Sequence, residues 1–430
     1  MRMVAMVAGL LLLCGCASGA GRGDSLDAIA ADYVRMTLEI GEREPGYVDA
    51  YYGPKEWQAA ARAAPRGLPE LAAAAAAMSV RTQAVDAAGL EPLERRRRAF
   101  LLAQLKAATT RLRMLQGEKL SFADEAEGLF GVRPELKPLS AYDPLLARIE
   151  ALVPGQGPLP ERVEAFQNRF TISKERLKPV FDAAIAECRR RTLARIALPA
   201  DESFKLEFVT GKSWSGYNYY QGGLKSLIQI NTDLPIRIGR AVDLGCHEGY
   251  PGHHALNMLL EQKLTRERGW VEYSIYPLYS PQSLIAEGSA NYGIDLAFPG
   301  PDRLAYETGT LYPLAGISAA QAREFLALQE ATSALAGARF TIAADYLEGR
   351  IDRARAVELL QRYQLVSKER AEQSAKFIDQ YRSYVINYGL GQDLVRAHVE
   401  AAGPTPEARW AAMERVISEP TLPGDLTVRR

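Results

Sequence analysis

Histidine is scarce in this 430-residue chain, with four in all, and its other shortages are as instructive. A membrane-spanning helix needs roughly 20 apolar residues. The apolar run that opens the chain, Val4 to Leu13, would span only about 15 Å as a helix, half the hydrocarbon core. Excess charge of either sign is also missing. Lys and Arg total 52 and Asp and Glu total 52, so no global field gathers nucleic acid or an anionic membrane surface. Cysteine is limited to four residues. Two of them lie in the leading segment, and Cys188 and Cys246 are too few to form a disulfide framework. Buried free thiols are the expected state of that pair. No repeat period is evident.

Against that scarcity, three of the four histidines fall within His247-Glu248-Gly249-Tyr250-Pro251-Gly252-His253-His254. Catalytic zinc takes imidazole nitrogens at about 2.0 to 2.1 Å, which demands that two ligating rings nearly touch. The H-E-x-x-H spacing achieves this on a regular helix, because residues i and i+4 share a face. Here His253 follows His247 by six residues, which on a straight helix puts it on the far side. His254, seven residues on, regains the face but sits about 10 Å along the axis. The inserted pair is Pro251-Gly252, residue types that break a helical ladder and accept unusual backbone angles. The segment therefore reads as an H-E-x-x-H site enlarged by Pro-Gly, with His247 and His253 as zinc ligands and Glu248 as general base. His254 is placed beside the site, toward substrate. A plainer reading ends one helix at Tyr250 and starts another at Pro251, leaving the histidines to pack.

A His2Glu site needs one further carboxylate and an open position for water. Glu287, in Leu284-Ile285-Ala286-Glu287-Gly288-Ser289-Ala290-Asn291-Tyr292, is the best candidate. Its small neighbours would allow this helix close to the first, and Asn291, one turn later, could orient a ligand.

These two motifs, H-E-G-Y-P-G-H-H and A-E-G-S-A-N-Y, resemble the H-E-x-x-P-G-H-H and E-G-W-A-x-Y signatures of the bacterial domain of unknown function eight-eighty-five. That family is similar to the gluzincin metallopeptidases. Gly46 to Pro54 and Tyr217 to Pro235 fit a subgroup of it. The resemblance implies a mainly α-helical, zincin-like fold, α+β with a small antiparallel sheet. It also implies His247, His253 and Glu287 as metal ligands and Glu248 as base. Tyr384 to Gln392 resembles the family's G-Q-A-x-x-Y-x-x-G-Q stretch, which makes Tyr388 the candidate donor to a developing oxyanion. Tyr384 stands there in place of a glutamine, as a candidate substrate contact. Ser289 replaces the usual tryptophan, and Asp345 to Gly349 lacks the histidine of a D-T-G-x-H-like stretch.

Strand signals run from Ser226 to Thr232. In gluzincins an edge strand just ahead of the metal helix aligns peptide by main-chain hydrogen bonds, with Asn231 then touching substrate. Equally, Asn231 could sit in the turn of a core strand. Helical patterning dominates elsewhere. Leu26, Ile29, Tyr33, Met36 and Ile40 form one stripe, and Leu101, Leu105, Ala108, Leu112 and Leu115 another. Ala72 to Ala77 is alanine-rich helix, interrupted later by Pro154 to Pro158. Phe377, Tyr381, Tyr384 and Tyr388 form an aromatic stripe ended by Gly389. The basic runs Arg95 to Arg98 and Arg189 to Arg191 read as solvated helix faces, and His398 as a surface helix residue.

The start reads as an export signal, residues 1–16. Leu13-Cys14-Gly15-Cys16 resembles a bacterial lipobox with Cys16 lipidated, followed by a tether over 17–24. A helical subdomain over 25–200 and a zinc-binding catalytic subdomain over 201–430 are expected to follow. The sequence thus predicts a zinc hydrolase of peptide or small amide substrates. It would be anchored through Cys16 to the cell envelope, on the periplasmic face of the outer membrane, with no nucleic-acid partner. A non-peptide amide or ester hydrolase, or a non-catalytic metal-binding lipoprotein, are the alternatives.

Overall fold

The computed structural model describes residues 25–427, so the expected export signal, lipid site at Cys16 and tether lie outside it. The fold is mainly helical with two small sheets. Among the described residues no helix is long and apolar enough to cross a membrane.

Helices form where periodicity and capping agree. Ser25 accepts a hydrogen bond from the Ala28 amide at the start of the helix Leu26–Arg43, satisfying one of its free donors. All five residues of the first predicted stripe are buried. The second stripe lies on the helix Pro92–Leu115, where Leu101, Leu105, Ala108 and Leu112 are buried. The alanine run sits inside Leu68–Ala84. Buried side chains form one contiguous cluster from Leu26 to Leu426.

The basic run Arg95 to Arg98 departs from expectation. The Arg97 side chain is 4% exposed, reaches Glu272 at 2.5 Å and Asp27 at 2.6 Å, and lies over Trp270. Tertiary partners, invisible to a charge count, bury one cation of an otherwise polar face. The aromatic stripe also differs in its backbone. The helix Lys368–Tyr381 breaks at Arg382, whose φ is +53°, and a second helix, Ile386–Ala401, runs straight through Gly389.

The sheets correct the expectation of a single antiparallel one. Strands β1 (Val48–Tyr51) and β5 (Ile275–Pro277) pair antiparallel. Strands β2 (Ser203–Val209), β3 (Gly216–Gly222) and β4 (Lys225–Asn231) form a mixed sheet in the order β2-β4-β3, in which β2 and β4 run parallel. The predicted strand at Ser226 is therefore β4, flanked on both sides, and β2 and β3 are the edges. The connection from β2 to β4 carries β3 as a hairpin strand, so β4 inherits the central place.

Cys188 and Cys246 form a disulfide, correcting the expectation of free thiols. Residue counting could not reveal that the helix Lys174–Leu193 packs against the histidine segment. Closing a loop between cysteines 58 residues apart is worth about 4 kcal/mol in the chain-entropy view. The bond ties down the residue immediately before His247.

Candidate metal centre

The short helix Gly239–Leu244 continues into a widened π-helical turn, Gly245–Gly249, that carries His247 and Glu248. Tyr250 is extended, Pro251 follows, and a new helix starts at His253 and runs to Leu260. The chain thus doubles back on itself, and the Gly252 amide donates to the Cys246 carbonyl at 3.1 Å. A β-carbon at Gly252 would stand 1.8 Å from the His247 carbonyl oxygen, so only glycine permits the fold-back. The helix does end near Tyr250, as the plainer reading held, yet the fold-back still brings His247 and His253 together. Their ring centroids are 4.6 Å apart.

Glu287 comes from the helix Pro281–Ala297. Ligand atoms of His247, His253 and Glu287 lie within 4.8 Å of one another. Glu287 Oε2 sits 3.2 Å from His247 Nε2 and 3.8 Å from His253 Nε2. Close approach of this helix depends on its glycines. A β-carbon on Gly293 would press on Pro251 at 2.8 Å, and one on Gly288 would strike the Gly391 backbone at 2.4 Å. Gly288 therefore serves the packing of the helix Ile386–Ala401 rather than that of the histidine segment.

Neighbouring side chains aim the ligand atoms. Asn291 donates its amide to the Tyr388 carbonyl at 3.2 Å, which turns Asn291 Oδ1 toward His247 Nδ1, 3.1 Å away. Asn291 Oδ1 can then accept the Nδ1 proton of His247, so the nitrogen facing Glu287, Nε2, is the one a metal would take. Tyr384 donates its hydroxyl to Glu287 Oε1 at 2.8 Å. The other oxygen, Oε2, is buried with no hydrogen-bond partner. An uncompensated carboxylate oxygen between two imidazoles is costly in a buried site, and a divalent cation is the group this donor set fits. This mixed imidazole and carboxylate set suits zinc and other first-row divalent metals alike.

Electrostatics agree. Burial, with the added charge of His247, pushes His253 down to about 4, keeping it neutral and able to ligate. Burial drives Glu248 up to about 7 in the metal-free protein, with Glu287 adding to the rise against the opposing pull of His247. One oxygen of Glu248 is buried and unpartnered. Asp49, on β1, is likewise pushed up to about 7 by burial and by Glu287 and Glu248. Asp49 accepts from the Tyr217 hydroxyl and escaped the sequence reading; its only signal was its place in the Gly46 to Pro54 stretch.

A cavity of about 590 Å³ opens over these groups, lined among others by Asp49, Gly216, Glu248, Tyr384 and Tyr388. Glu248 lies so close to β3 that a β-carbon on Gly216 would be 2.7 Å from its carboxylate. Asn218 donates to the Glu248 carbonyl at 2.8 Å. The Asn231 amide donates to the Ser215 carbonyl, and strand alternation then turns the main-chain groups of Gly216 and Asn218 to the open edge. Tyr388 stacks at 6.5 Å from the His247 ring.

Three predicted residues fall elsewhere. His254 is fully buried, with Nε2 on Glu202 at 2.9 Å and Nδ1 on Ser226 at 2.8 Å. Both ring nitrogens are spent, and it faces the core, not the cavity. Asn231 follows the turn reading: it donates to the Lys212 and Trp214 carbonyls and accepts from the Asp233 amide. Tyr384, expected on substrate, has its hydroxyl on Glu287. His398 is half-buried on the helix Ile386–Ala401.

Neither a family model nor a curated protein sequence matches the chain. Among solved structures it is similar to a protein described as a lipoprotein from Colwellia psychrerythraea, with a TM-score of 0.49 and 15% identity. That match covers 81% of this chain and 66% of the other, just under two thirds of its length. It is also similar to the M32 carboxypeptidase from Deinococcus radiodurans R1, with a TM-score of 0.37, 14% identity, and coverage of 91% and 88%.

Proposed function

We propose that this chain is a zinc-dependent hydrolase of the gluzincin type, a metallopeptidase cleaving peptide or related amide bonds, and a member of the family its histidine motif resembles. The observation that carries the reading is the bare Glu287 Oε2 between the His247 and His253 imidazoles, beside an equally bare Glu248 oxygen in one cavity. His247, His253 and Glu287 would hold the metal, and zinc there would supply Lewis acidity and a water of pKa about 7.

The remaining chemistry belongs to the chain. Glu248 takes a proton from the attacking water at its free oxygen and delivers it to the leaving amine, a role suited to a carboxylate with a raised pKa. Tyr388 donates a hydrogen bond to the oxyanion that develops on the carbonyl. Asn291 and Tyr384 hold the ligands in register. The outward main-chain groups of Gly216 and Asn218 align the substrate backbone as an added strand, a role the sequence reading gave to the following strand. Glu248→Gln should lower turnover of a cleaved peptide by on the order of 100-fold or more while metal content stays near one per chain. Full activity in that variant would remove Glu248 from the mechanism.

A further inference from the structure

Four arginines line the cavity: Arg240, Arg303, Arg339 and Arg370. Three have carboxylates within 4 Å. Arg303 reaches Asp243 and Glu307, each at 2.8 Å, Arg240 reaches Asp243 at 3.5 Å, and Arg370 reaches Glu164 at 3.7 Å. Arg339 differs. Among the described residues no hydrogen bond or ion pair meets its guanidinium, and its Nε is buried without a partner. The Phe377 ring lies 5.1 Å below it, and Tyr388 is close enough to feel its charge.

The wall around it is also short of negative charge. Arg237, just beyond, shares the single carboxylate of Glu164 with Arg370, at 3.4 and 3.7 Å. Five arginines, Arg237, Arg240, Arg303, Arg339 and Arg370, thus meet three carboxylates, Glu164, Asp243 and Glu307, and the remaining carboxylate of the lining outside the metal group, Asp295, is taken by Arg396 at 2.7 Å. The metal-binding part of the same cavity is acidic, with Asp49, Glu248 and Glu287. A chain of rings joins it to Arg339: His247 to Tyr388 at 6.5 Å, Tyr388 to Phe377 at 6.1 Å, and Phe377 to Arg339. An extended peptide advances about 3.3 to 3.6 Å per residue, so a few residues bridge from the scissile carbonyl at Tyr388 to Arg339.

We infer that Arg339 is the anchor for a carboxylate on the substrate, placed a few residues from the bond that is cut. A guanidinium presents a planar fork that matches a carboxylate with two parallel hydrogen bonds. An unpaired one in a partly desolvated wall gains most from an incoming anion. The carboxylate could be the peptide's own C-terminus or an acidic side chain. This inference rests on the peptidase reading for the word substrate, but the binding it describes does not need turnover.

The test uses the metal-loaded protein and three N-acetylated tetrapeptide pools, ending in a free acid, in an amide, or in a glutamate amide. The wild type should prefer one of the anionic pools to the plain amide by about 10- to 100-fold in kcat/KM. In Arg339→Gln that ratio should fall to near one, and Arg339→Lys should restore part of it. Preference for the free acid names the C-terminus as the source, and preference for the glutamate amide names the side chain. Hydrolysis without preference, or a preference that survives Arg339→Gln, overturns the inference and leaves the peptidase reading standing. Should no pool be cut, calorimetry with the Glu248→Gln protein decides. Tighter binding of an anionic tetrapeptide that disappears with Arg339→Gln supports the anchor while the peptidase reading falls, and equal binding of all three ends overturns the anchor as well.

Discussion

The histidine segment has a cavity face and a core face, and the two hold similar groups under opposite conditions. On the cavity side, His247, His253, Glu248 and Glu287 include two buried carboxylate oxygens without partners. On the core side, Glu202 accepts from His254 at 2.9 Å, from Arg189 at 2.8 Å and from the Tyr250 hydroxyl, while Ser226 closes the ring of contacts on His254. Burial alone would raise the Glu202 carboxyl, but these donors outweigh it and hold it down at about 2. Ser226, His254 and Glu202 have the residue types of a nucleophilic triad. They are nonetheless sealed, with Ser226 3% and His254 0% exposed. A saturated buried network serves structure, whereas one left short of partners is poised for a ligand.

The comparison can be broken most severely at Gly252, which both faces share. Gly252→Ala would force its β-carbon into the His247 carbonyl, so metal should be lost. Stability should fall by about 3 kcal/mol or more, read by elemental analysis and denaturant melts. Retention of both would show that the fold-back tolerates a side chain.

Exchanging neighbours sharpens the contrast. His254→Ala leaves Glu202 buried with a donor missing and should cost about 3 kcal/mol, yet metal should remain. His253→Ala should abolish stoichiometric metal at little cost to the metal-free protein's stability. Reversed outcomes would exchange the roles of the two residues. A smaller effect is expected at Asn291, whose Oδ1 faces His247 Nδ1. Asn291→Ala should weaken metal affinity by about 10- to 100-fold, measured by competition with a chelator of known affinity; unchanged affinity would leave His247 oriented by packing alone.

Much of the site was legible because coordination chemistry restricts residue type. Few uses other than a cation explain His247, Glu248 and His253 around a Pro-Gly insertion, and Glu287 followed from the need for one more ligand. Asn291 was readable from its one-turn offset. Arg339 and Asp49 were not, because their meaning comes from what fails to stand beside them and from distant elements converging on one cavity. The edge strand was misplaced by one element for a related reason. Alternation marks a strand, but order within a sheet is set by pairing across the chain.

What the sequence by itself determined is therefore local: helix stripes, the break at Pro251-Gly252, and a donor set suited to a divalent metal. Tertiary structure decided which of two adjacent histidines faces the cavity, whether two lone cysteines meet, and which arginine is left without an anion. The physical reason is range. Periodicity and ligand chemistry act over a few residues, whereas partnership of charges and thiols depends on contacts between segments that only the folded chain brings together.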